Sequence, residues 1–224
     1  MFTTRSIRQG VRTMAAALAA TTLVAAGASA PAQAAAKPQP KLGEKSLAAV
    51  LTSDGNRFDK RGRDYDIVTE AVLAVLAAKP DSAVGVLTDG SVRLTAFIPN
   101  DYSFKVLVKD LTGHWPTSEK AAFDTLVSAV GVDAVEQVLL YHVVPGATIT
   151  SKTALGADGA ELDTALAGSS FTVHVIYPAI PVVQLEDGDS NDVDPLLNPN
   201  QLDINKGNKQ IAHGILLVLR PIDL

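Results

Sequence analysis

The sequence predicts an α+β fold, arranged as one domain over residues 46–224. Apolar residues recur at helical spacing through the first half of the chain, as in the stripe that runs from Val68 to Leu76. In the last third, Phe171, Val173 and Val175 alternate with polar residues, which is the pattern of a strand. Helices that cluster early and strands that lie centrally and late are typical of α+β domains. The sequence shows no internal repeat, so a single domain is expected.

The first 34 residues predict a secretory signal peptide. Arg5, Arg8 and Arg12 form a positive region without an acidic residue, and the apolar run Met14–Ala26 has the length of a secretory signal. This run is too short to span a bilayer as a helix. We expect cleavage after Ala34, followed by a flexible leader over residues 35–45. A secreted, extracellular protein without a stable membrane anchor is therefore predicted.

The charge and the cysteine content exclude several classes of function. Cleavage after Ala34 would remove three arginines and no acidic residue, which leaves 16 basic against 24 acidic residues and a net charge of −8. Phosphate backbones and anionic membrane surfaces require a positive footprint, so nucleic acid is not expected as a partner. The sequence has no cysteine, which excludes disulfides and thiolate chemistry.

Two helices and a strand are predicted in the first hundred residues. Residues 47–51 carry the apolar stripe of a short helix, and Asp66 is placed to cap a longer helix that Lys79 and the proline after it end. The polar stretch between the helices, residues 54–64, mixes both charge signs and is interpreted as a solvated loop. Residues 92–98 are then predicted to form a strand.

Three further helices are predicted after this strand. Asn100 and Asp101 are placed to cap the first of them, because their side chains can accept hydrogen bonds from the N–H groups of the first turn. The second helix is expected to end at Gly131. The third begins at Asp133 and runs into an apolar stretch over residues 138–144, which is interpreted as a strand.

Three stretches of the sequence match a known family pattern in order. The first is a strand end that runs into a capped helix, the second is a Tyr-His motif, and the third closes the domain: Thr95–Phe104, Leu139–Gly146 and Ile211–Pro221. Together they resemble the fasciclin domain family over nearly the whole mature chain. The resemblance implies a compact α+β wedge and an extracellular role in cell adhesion or matrix contact, without general catalytic activity. Together with the export signal, it predicts a secreted bacterial member of this family.

The sequence departs from the family pattern near its end. Lys209-Gln210 replaces the usual Asn-Gly at the start of the closing signature, and Leu216 replaces the usual aspartate. We therefore expect a differently built turn, with Gly207-Asn208 as its centre. The polar segment over residues 185–210 also exceeds the usual connection, and a segment of this length is either functional or mobile.

Tyr141 and His142 form the candidate binding site that the resemblance implies. In animal members of the family the Tyr-His motif resembles a receptor-adhesion site. If both residues lie in a strand, their side chains point to opposite faces, so that one enters the core and the other approaches the surface. The alternative is a buried tyrosine beside a histidine that bonds to backbone groups. We favour this structural alternative.

The acidic segment, which we define as Glu186–Asp194, is a candidate calcium site. It contains five carboxylates and no basic residue. Oxygen ligands on a flexible loop suit calcium, and millimolar extracellular calcium suits weak sites. The candidate ligands are Asp187, Asp189, Asn191, Asp192 and Asp194. Residues at positions 6 and 12 break the helix–loop–helix calcium pattern, so only an irregular site is expected. The alternative is a solvated acidic loop that binds no metal, and no other cofactor is expected.

The function expected from the sequence is a non-catalytic adhesion or binding module. Its expected contact is an extracellular protein or polysaccharide at a cell surface or matrix, with the chain a monomer or weakly self-associating. No catalytic signature is present, and the four histidines, at 114, 142, 174 and 213, lack the spacing of a zinc site. The alternative is an exported hydrolase or carbohydrate-active protein on the same scaffold. Trp115, in a loop, either packs on the domain or offers an aromatic contact to a sugar or protein.

Overall fold

The computed structural model describes residues 41–55, 57–177 and 182–222. The predicted signal peptide and leader residues 35–40 lie outside the described residues. The helices are α1 (Leu47–Leu51), α2 (Asp66–Ala78), α3 (Asp101–Thr112), α4 (Glu119–Tyr141) and α5 (Ser151–Ala154). The strands are β1 (Leu94–Pro99), β2 (Val143–Pro145), β3 (Glu161–Asp163), β4 (Ser170–Tyr177), β5 (Val182–Glu186) and β6 (Gln210–Ile215). The predicted α+β class is confirmed.

Helix α4 joins the two helices that the sequence predicts on either side of Gly131. Gly131, with a φ of 80° and a ψ of 165°, lies outside helical geometry, so α4 consists of two helical parts that meet in a kink at the residue where the sequence predicts a helix end. The helix continues through Tyr141, and β2 begins only at Val143. The strand predicted over residues 138–144 is therefore wrong for its first five residues. Among the described residues, no helix combines the length and apolar character that a membrane span requires.

Two three-stranded sheets form the β part of the domain. The first has the strand order β2–β1–β6, in which β1 runs antiparallel to β2 and parallel to β6. The register places Phe97 opposite His213. The second sheet has the antiparallel order β3–β4–β5. Strand β1 is central and buried along its whole length, which explains why its sequence is nearly continuous in apolar residues.

The core lies on both faces of the β2–β1–β6 sheet. Leu94, Ala96 and Ile98 pack with α1 to α4 on one face. Phe97 points the other way and meets Phe171 of β4 edge-on, with ring centroids 5.3 Å apart. Each large apolar side chain buried in this way contributes roughly 1.5–3 kcal/mol. The domain therefore has three layers, in the order helices, β2–β1–β6 sheet and β3–β4–β5 sheet, with β1 at the centre of the middle layer.

Residues 41–45 are held against the domain, although the sequence assigned them to the flexible leader. The N–H of Gly43 donates to the carbonyl of Gly207 at 2.8 Å, and the N–H of Lys209 donates to the carbonyl of Gly43 at 2.9 Å. Gly207, with a φ of 91°, forms the turn expected at Gly207-Asn208. The side chain of Asn208 then accepts from the N–H of Lys45 at 3.1 Å. This docking depends on residues 163 positions away, which local pattern cannot reveal.

The segment over residues 185–210 is ordered by contacts with the two sheets. Isolated bridges pair Gln184 with Leu196, Leu197 with Ile215, and Ile204 with Ala212. Leu197 is buried in the second core cluster. The segment therefore follows the surface of both sheets and is anchored at several points along its length.

Candidate functional site

A surface groove of about 740 Å³ opens beside the start of α3. Four separate pieces of chain meet there: the loop before α2, the first turn of α3, the turn at residues 198–201, and the residue that follows β6. The lining residues are Gly62, Arg63, Asn100, Tyr102, Asn198, Pro199, Asn200, Gln201 and Leu216. Amide side chains are frequent among them, and Arg63 is the single charged residue. We call this feature the groove.

Two aromatic rings stand exposed at the groove. Tyr102 lies in the lining, and Trp115 stacks against it with ring centroids 5.9 Å apart and planes inclined by 35°. Tyr102 is 56% exposed and Trp115 is 52% exposed. Leu216, which stands where the family pattern has aspartate, is a third exposed apolar side chain here. Single exposed apolar residues are ordinary, but a contiguous group marks a contact surface.

Hydrogen bonds hold the walls of the groove in place. The N–H of Tyr102 donates to the carbonyl of Gly62 at 2.8 Å, which joins the loop before α2 to α3. The side-chain amide of Gln201 donates to the carbonyl of Arg63 at 2.7 Å. A Cβ at Gly214 would lie 2.8 Å from the Cβ of Gln201, so only glycine lets the 198–201 turn approach β6 this closely. The groove is therefore a preformed feature of the backbone.

Helices α2 and α3 cap each other beside the groove. Asn100 caps α3 as predicted, since its Oδ1 accepts from the N–H of Ser103 at 3.0 Å. Asp101 instead caps α2: its carboxylate accepts from the N–H groups of Ile67 at 2.8 Å and Asp66 at 3.3 Å. In return, the N–H of Asp101 donates to the carbonyl of Asp64 at 3.1 Å. Residues 57–65 are thus part of the helix packing, which the solvated-loop interpretation missed.

This mutual capping gathers three carboxyl groups in the interior. Asp64, Asp101 and Glu119 bring oxygens within 4.8 Å of one another, and we call them the buried carboxylate cluster. Asp101 and Glu119 are fully buried. Glu119 accepts from the Nζ of Lys105 at 2.9 Å and from the N–H of Asp59 at 2.6 Å. Burial, and then the contact with Asp64, raise the pKa of Asp101 to about 8. Asp101 is therefore largely protonated at neutral pH in the folded state.

Tyr141 and His142 are both buried. The last turn of α4 places the Tyr141 hydroxyl so that it donates to the carbonyl of Ser170 at 2.8 Å. His142 Nδ1 lies 2.7 Å from the carbonyl of Val138, and its Nε2 accepts from the N–H of Leu219 at 3.0 Å. Burial raises the pKa of Tyr141 to about 12 and lowers that of His142 to about 4. This is the favoured structural alternative, a buried tyrosine beside a histidine that bonds to backbone groups. The other alternative, with one residue in the core and one at the surface, does not apply, because both residues lie at a helix end and not in a strand.

His213 also bridges a backbone carbonyl and a backbone N–H, but with the roles of its two ring nitrogens exchanged relative to His142. Its Nε2 lies 2.8 Å from the carbonyl of Ile149, and its Nδ1 accepts from the N–H of Asp203 at 3.3 Å. A carbonyl can only accept, so the proton sits on Nε2 of His213 and on Nδ1 of His142. Burial lowers the pKa of His213 as well. Both imidazoles are neutral bridges between backbone segments.

The acidic segment contacts a basic residue that the sequence places far away. Arg220 Nη1 lies 2.8 Å from Asp192 Oδ2 and 3.1 Å from Asp189 Oδ2, and its backbone N–H donates to Asp187 Oδ2 at 2.8 Å. Its Nη2 pairs with Asp110 of α3 at 2.7 Å. The guanidinium therefore stands among the carboxylates predicted to bind calcium.

The remaining predicted calcium ligands also have protein partners. Asp194 accepts from the N–H of Asp187 at 3.3 Å and from the side-chain amide of Gln184 at 3.1 Å. The N–H of Asn191 donates to Asp189 Oδ1 at 3.3 Å. Burial raises the pKa of Asp187 to about 6.

Two sets of three carboxylates converge closely enough to hold a metal within the described residues. They are Asp59 with Asp64 and Asp66, and the buried carboxylate cluster; neither includes a residue of the acidic segment. In the cluster, both oxygens of Asp101 and both oxygens of Glu119 already accept from N–H or ammonium groups. Calcium binding by the acidic segment stays a prediction.

The fold and the motifs agree with a comparison against protein families. A model of the fasciclin domain matches residues 69–188, which is more than half of the chain. The chain belongs to the fasciclin domain family. A search among curated proteins finds no match.

A solved structure shows the same fold as this fasciclin domain. It is the FAS1 domain pair from the insect cell adhesion molecule Fasciclin I, which superposes with a TM-score of 0.52 at 15% sequence identity. The match covers 80% of this chain and 51% of the solved chain, so this chain spans about half the length of that pair. At this identity the likeness concerns the fold alone.

Two features of this fasciclin domain had no direct signal in the sequence. Gln210, a departure from the family pattern, is fully buried, and its side chain joins the N–H of Leu47 to the carbonyls of Val86 and Asp89. The groove was also missed, because its walls come from four distant pieces of chain. Trp115, the loop tryptophan, is 52% exposed and contacts the ring of Tyr102, so it does not pack into the core.

Proposed function

We propose that this fasciclin domain is a non-catalytic binding module that acts outside the cell, where it contacts an extracellular protein or polysaccharide. The groove with its exposed aromatic pair carries the proposal. Proteins usually bury two adjacent aromatic rings, and aromatic residues are enriched where proteins bind partners. Family membership adds support, because fasciclin domains are known as adhesion-related modules.

The contacts made by the four histidine side chains support a binding role over a hydrolytic one. A hydrolase needs an imidazole that can take a proton from a hydroxyl nucleophile. In the described part of the chain, His142 and His213 bridge backbone groups, His114 Nδ1 contacts the carbonyl of Thr112, and His174 pairs with Glu186. No described imidazole is hydrogen-bonded to a serine or threonine hydroxyl, so the exported-hydrolase alternative gains no geometric support.

A capture experiment tests the binding role. Purified residues 35–224, immobilised through the N-terminus, are expected to retain a protein or polysaccharide from cell-wall and matrix extracts, and the heat-unfolded domain is not. A parallel assay with chromogenic ester and glycoside substrates should show no turnover. Turnover in proportion to folded protein, without retention of any component, would favour the hydrolase alternative.

Export is tested separately. We expect the mature chain to begin near Ala35 and to be found in the culture supernatant, where N-terminal sequencing identifies the first residue. Sedimentation analysis of that material should show a monomer or weak self-association. Recovery of full-length, membrane-bound chain alone would contradict the export proposal and leave the binding experiment unaffected.

A further inference from the structure

We propose that the groove binds a neutral polysaccharide made of β-linked pyranose units. This inference rests on the proposed function, since it names the ligand class of the same module. The observations are the exposed ring pair, the amide-rich wall and the absence of carboxylates from the lining.

The ring pair suits the flat face of a pyranose. The rings of Tyr102 and Trp115 contact each other with centroids 5.9 Å apart and planes inclined by 35°, and more than half of each side chain is exposed. A β-linked pyranose with equatorial hydroxyls directs its C–H groups to its two faces, which therefore pack against aromatic rings. Leu216 extends this apolar surface within the groove. The groove, of about 740 Å³, is larger than a single sugar ring, which predicts a chain rather than a monosaccharide.

The amide side chains of the groove lining suit the hydroxyl edge of a sugar. The 198–201 turn presents amide side chains, which carry both donors and acceptors and so match hydroxyl groups. Internal bonds hold this turn, as when Asn198 Nδ2 donates to Gln201 Oε1 at 2.6 Å and Asn198 Oδ1 accepts from the N–H of Asn200 at 3.1 Å. Polar groups that are fixed before binding lower the entropic cost of association.

The charge of the groove favours a neutral ligand. Its nine lining residues include no carboxylate, and Arg63 is the one cation. The chain as a whole has a net charge of −5, which disfavours the long-range approach of an acidic polysaccharide. A cationic ligand finds no carboxylate partner in the lining. A neutral sugar avoids both problems, and the guanidinium of Arg63 can donate to its hydroxyls.

The sole tryptophan of the chain makes the test direct, because Trp115 fluorescence reports on the groove. Titration of residues 35–224 with cellohexaose is expected to give a saturable change in emission. Tyr102→Ala should weaken binding by about tenfold or more, through loss of the stacking surface. Ile176→Ala, which removes an exposed apolar side chain on β4 outside the groove, is the matched control and should leave the affinity unchanged.

Three outcomes would overturn the inference. The first is no change in emission with cellohexaose, mannohexaose or xylohexaose up to about 10 mM, the weak end of specific binding. The second is tighter binding of a galacturonate hexamer, which would make the ligand acidic. The third is equal affinity for the wild type and a Tyr102→Ala variant whose melting curve is unchanged. If the extract capture succeeds and Tyr102→Ala retains the same component, the proposed function stands and only the assignment of the groove fails.

Discussion

Two acidic regions of this fasciclin domain differ in how the repulsion between their carboxylates is reduced. In the acidic segment, carboxylates that are neighbours in sequence surround Arg220, whose side chain contacts Asp189, Asp192 and Asp110. In the buried carboxylate cluster, acids that lie far apart in sequence meet with a single ammonium group, that of Lys105 on Glu119. The first region offsets part of its negative charge with the guanidinium of Arg220, and the second does so with Lys105 and a proton on Asp101.

The difference shows that a high number of acidic residues in one stretch of sequence does not predict where acidic side chains lack cationic partners in the fold. The acidic segment has five carboxylates within nine positions, yet the guanidinium of Arg220, which is distant in sequence, hydrogen-bonds within it. The buried carboxylate cluster draws one residue each from the loop before α2, the start of α3 and the start of α4. In this cluster the pKa of Asp101 is raised to about 8, first by burial and then by the neighbouring carboxyl groups.

Removal of Arg220 should have the largest effect. Arg220→Met keeps the length of the side chain but leaves Asp189, whose side chain is 1% exposed, without its cation. Loss of one partner of a buried pair costs about 3–5 kcal/mol, and two of the other carboxylates are partly exposed, so we expect about 3 kcal/mol from urea unfolding. The double variant with Asp189→Asn should recover part of the loss. A loss below about 1 kcal/mol would mean that the guanidinium does not organise this region.

Removal of Lys105 should have a smaller effect. Lys105→Met breaks the bond from Nζ to Glu119 Oε1, while Glu119 keeps the N–H of Asp59. A hydrogen bond to a charged group contributes about 1.5–3 kcal/mol, so we expect a loss of about 2 kcal/mol. Lys120→Met is the matched control, because Lys120 pairs with Asp124 on the exposed surface of α4. Equal effects of the two substitutions would contradict the picture of a cluster short of positive charge.

The proton on Asp101 predicts a pH dependence of a defined sign. An aspartate whose folded pKa is about 8 holds its proton in the folded state while the unfolded state has lost it. Stability from this group is therefore present below pH 4 and is lost as the pH rises from 4 to 8. His142 and His213, with lowered pKa values, act oppositely, because the unfolded chain gains protons as the pH falls below about 6.5.

A single variant isolates the Asp101 contribution. Asp101→Asn keeps an acceptor for the first turn of α2 and removes the titration. We expect the stability of the wild type, relative to this variant, to fall by at least about 1 kcal/mol between pH 4 and pH 8, measured by urea unfolding at each pH. Asp124→Asn, at an exposed site, should leave the slope of the wild type unchanged. A wild-type slope that Asp101→Asn does not alter would place the proton elsewhere.

Calcium should give the smallest effect of the series. Arg220 already supplies positive charge to the acidic segment, so only a weak site remains, with a dissociation constant of roughly 10 mM. At 10 mM calcium such a site adds about 0.4 kcal/mol and raises the Tm by about 1 °C. Magnesium should do less, because it dehydrates reluctantly. An equal shift in the Asp187→Ala/Asp189→Ala variant, or none in the wild type, would identify the segment as a metal-free acidic loop.

Local patterns in the sequence predicted the elements of the fold well. The stripe from Val68 to Leu76 lies in α2, Asn100 caps α3, and Gly131 interrupts a helix as its freedom from a Cβ allows. These predictions succeed because the residues that determine each element lie within one or two helical turns of each other in the sequence. The strand predicted around the Tyr-His motif was wrong, because an apolar run of this length suits a strand or a buried helix end equally. The buried, structural role favoured for Tyr141 and His142 was nevertheless correct.

The candidate site could not be predicted in this way, because it depends on contacts between distant residues. Arg220 reaches Asp189 across 31 positions, and Asp101 caps a helix that begins 35 positions earlier. A useful signal was nevertheless present: a segment with five carboxylates and no base favours contact with a cation from elsewhere in the chain. The chain end offers Arg220 between apolar residues, where a charged side chain is unusual unless it has partners.

The central position of β1 has a consequence for how the chain folds. Its parallel partner, β6, begins 116 residues after it, and both Gly43 and Leu47 bond to residues more than 160 positions away. Contacts of such separation impose a large loop-closure entropy before they add stability, which slows folding. The first sheet cannot close until Gln210–Ile215 is available. A chain that crosses a membrane N-terminus first would therefore stay open until its last segment emerged, and would complete its fold only on the far side.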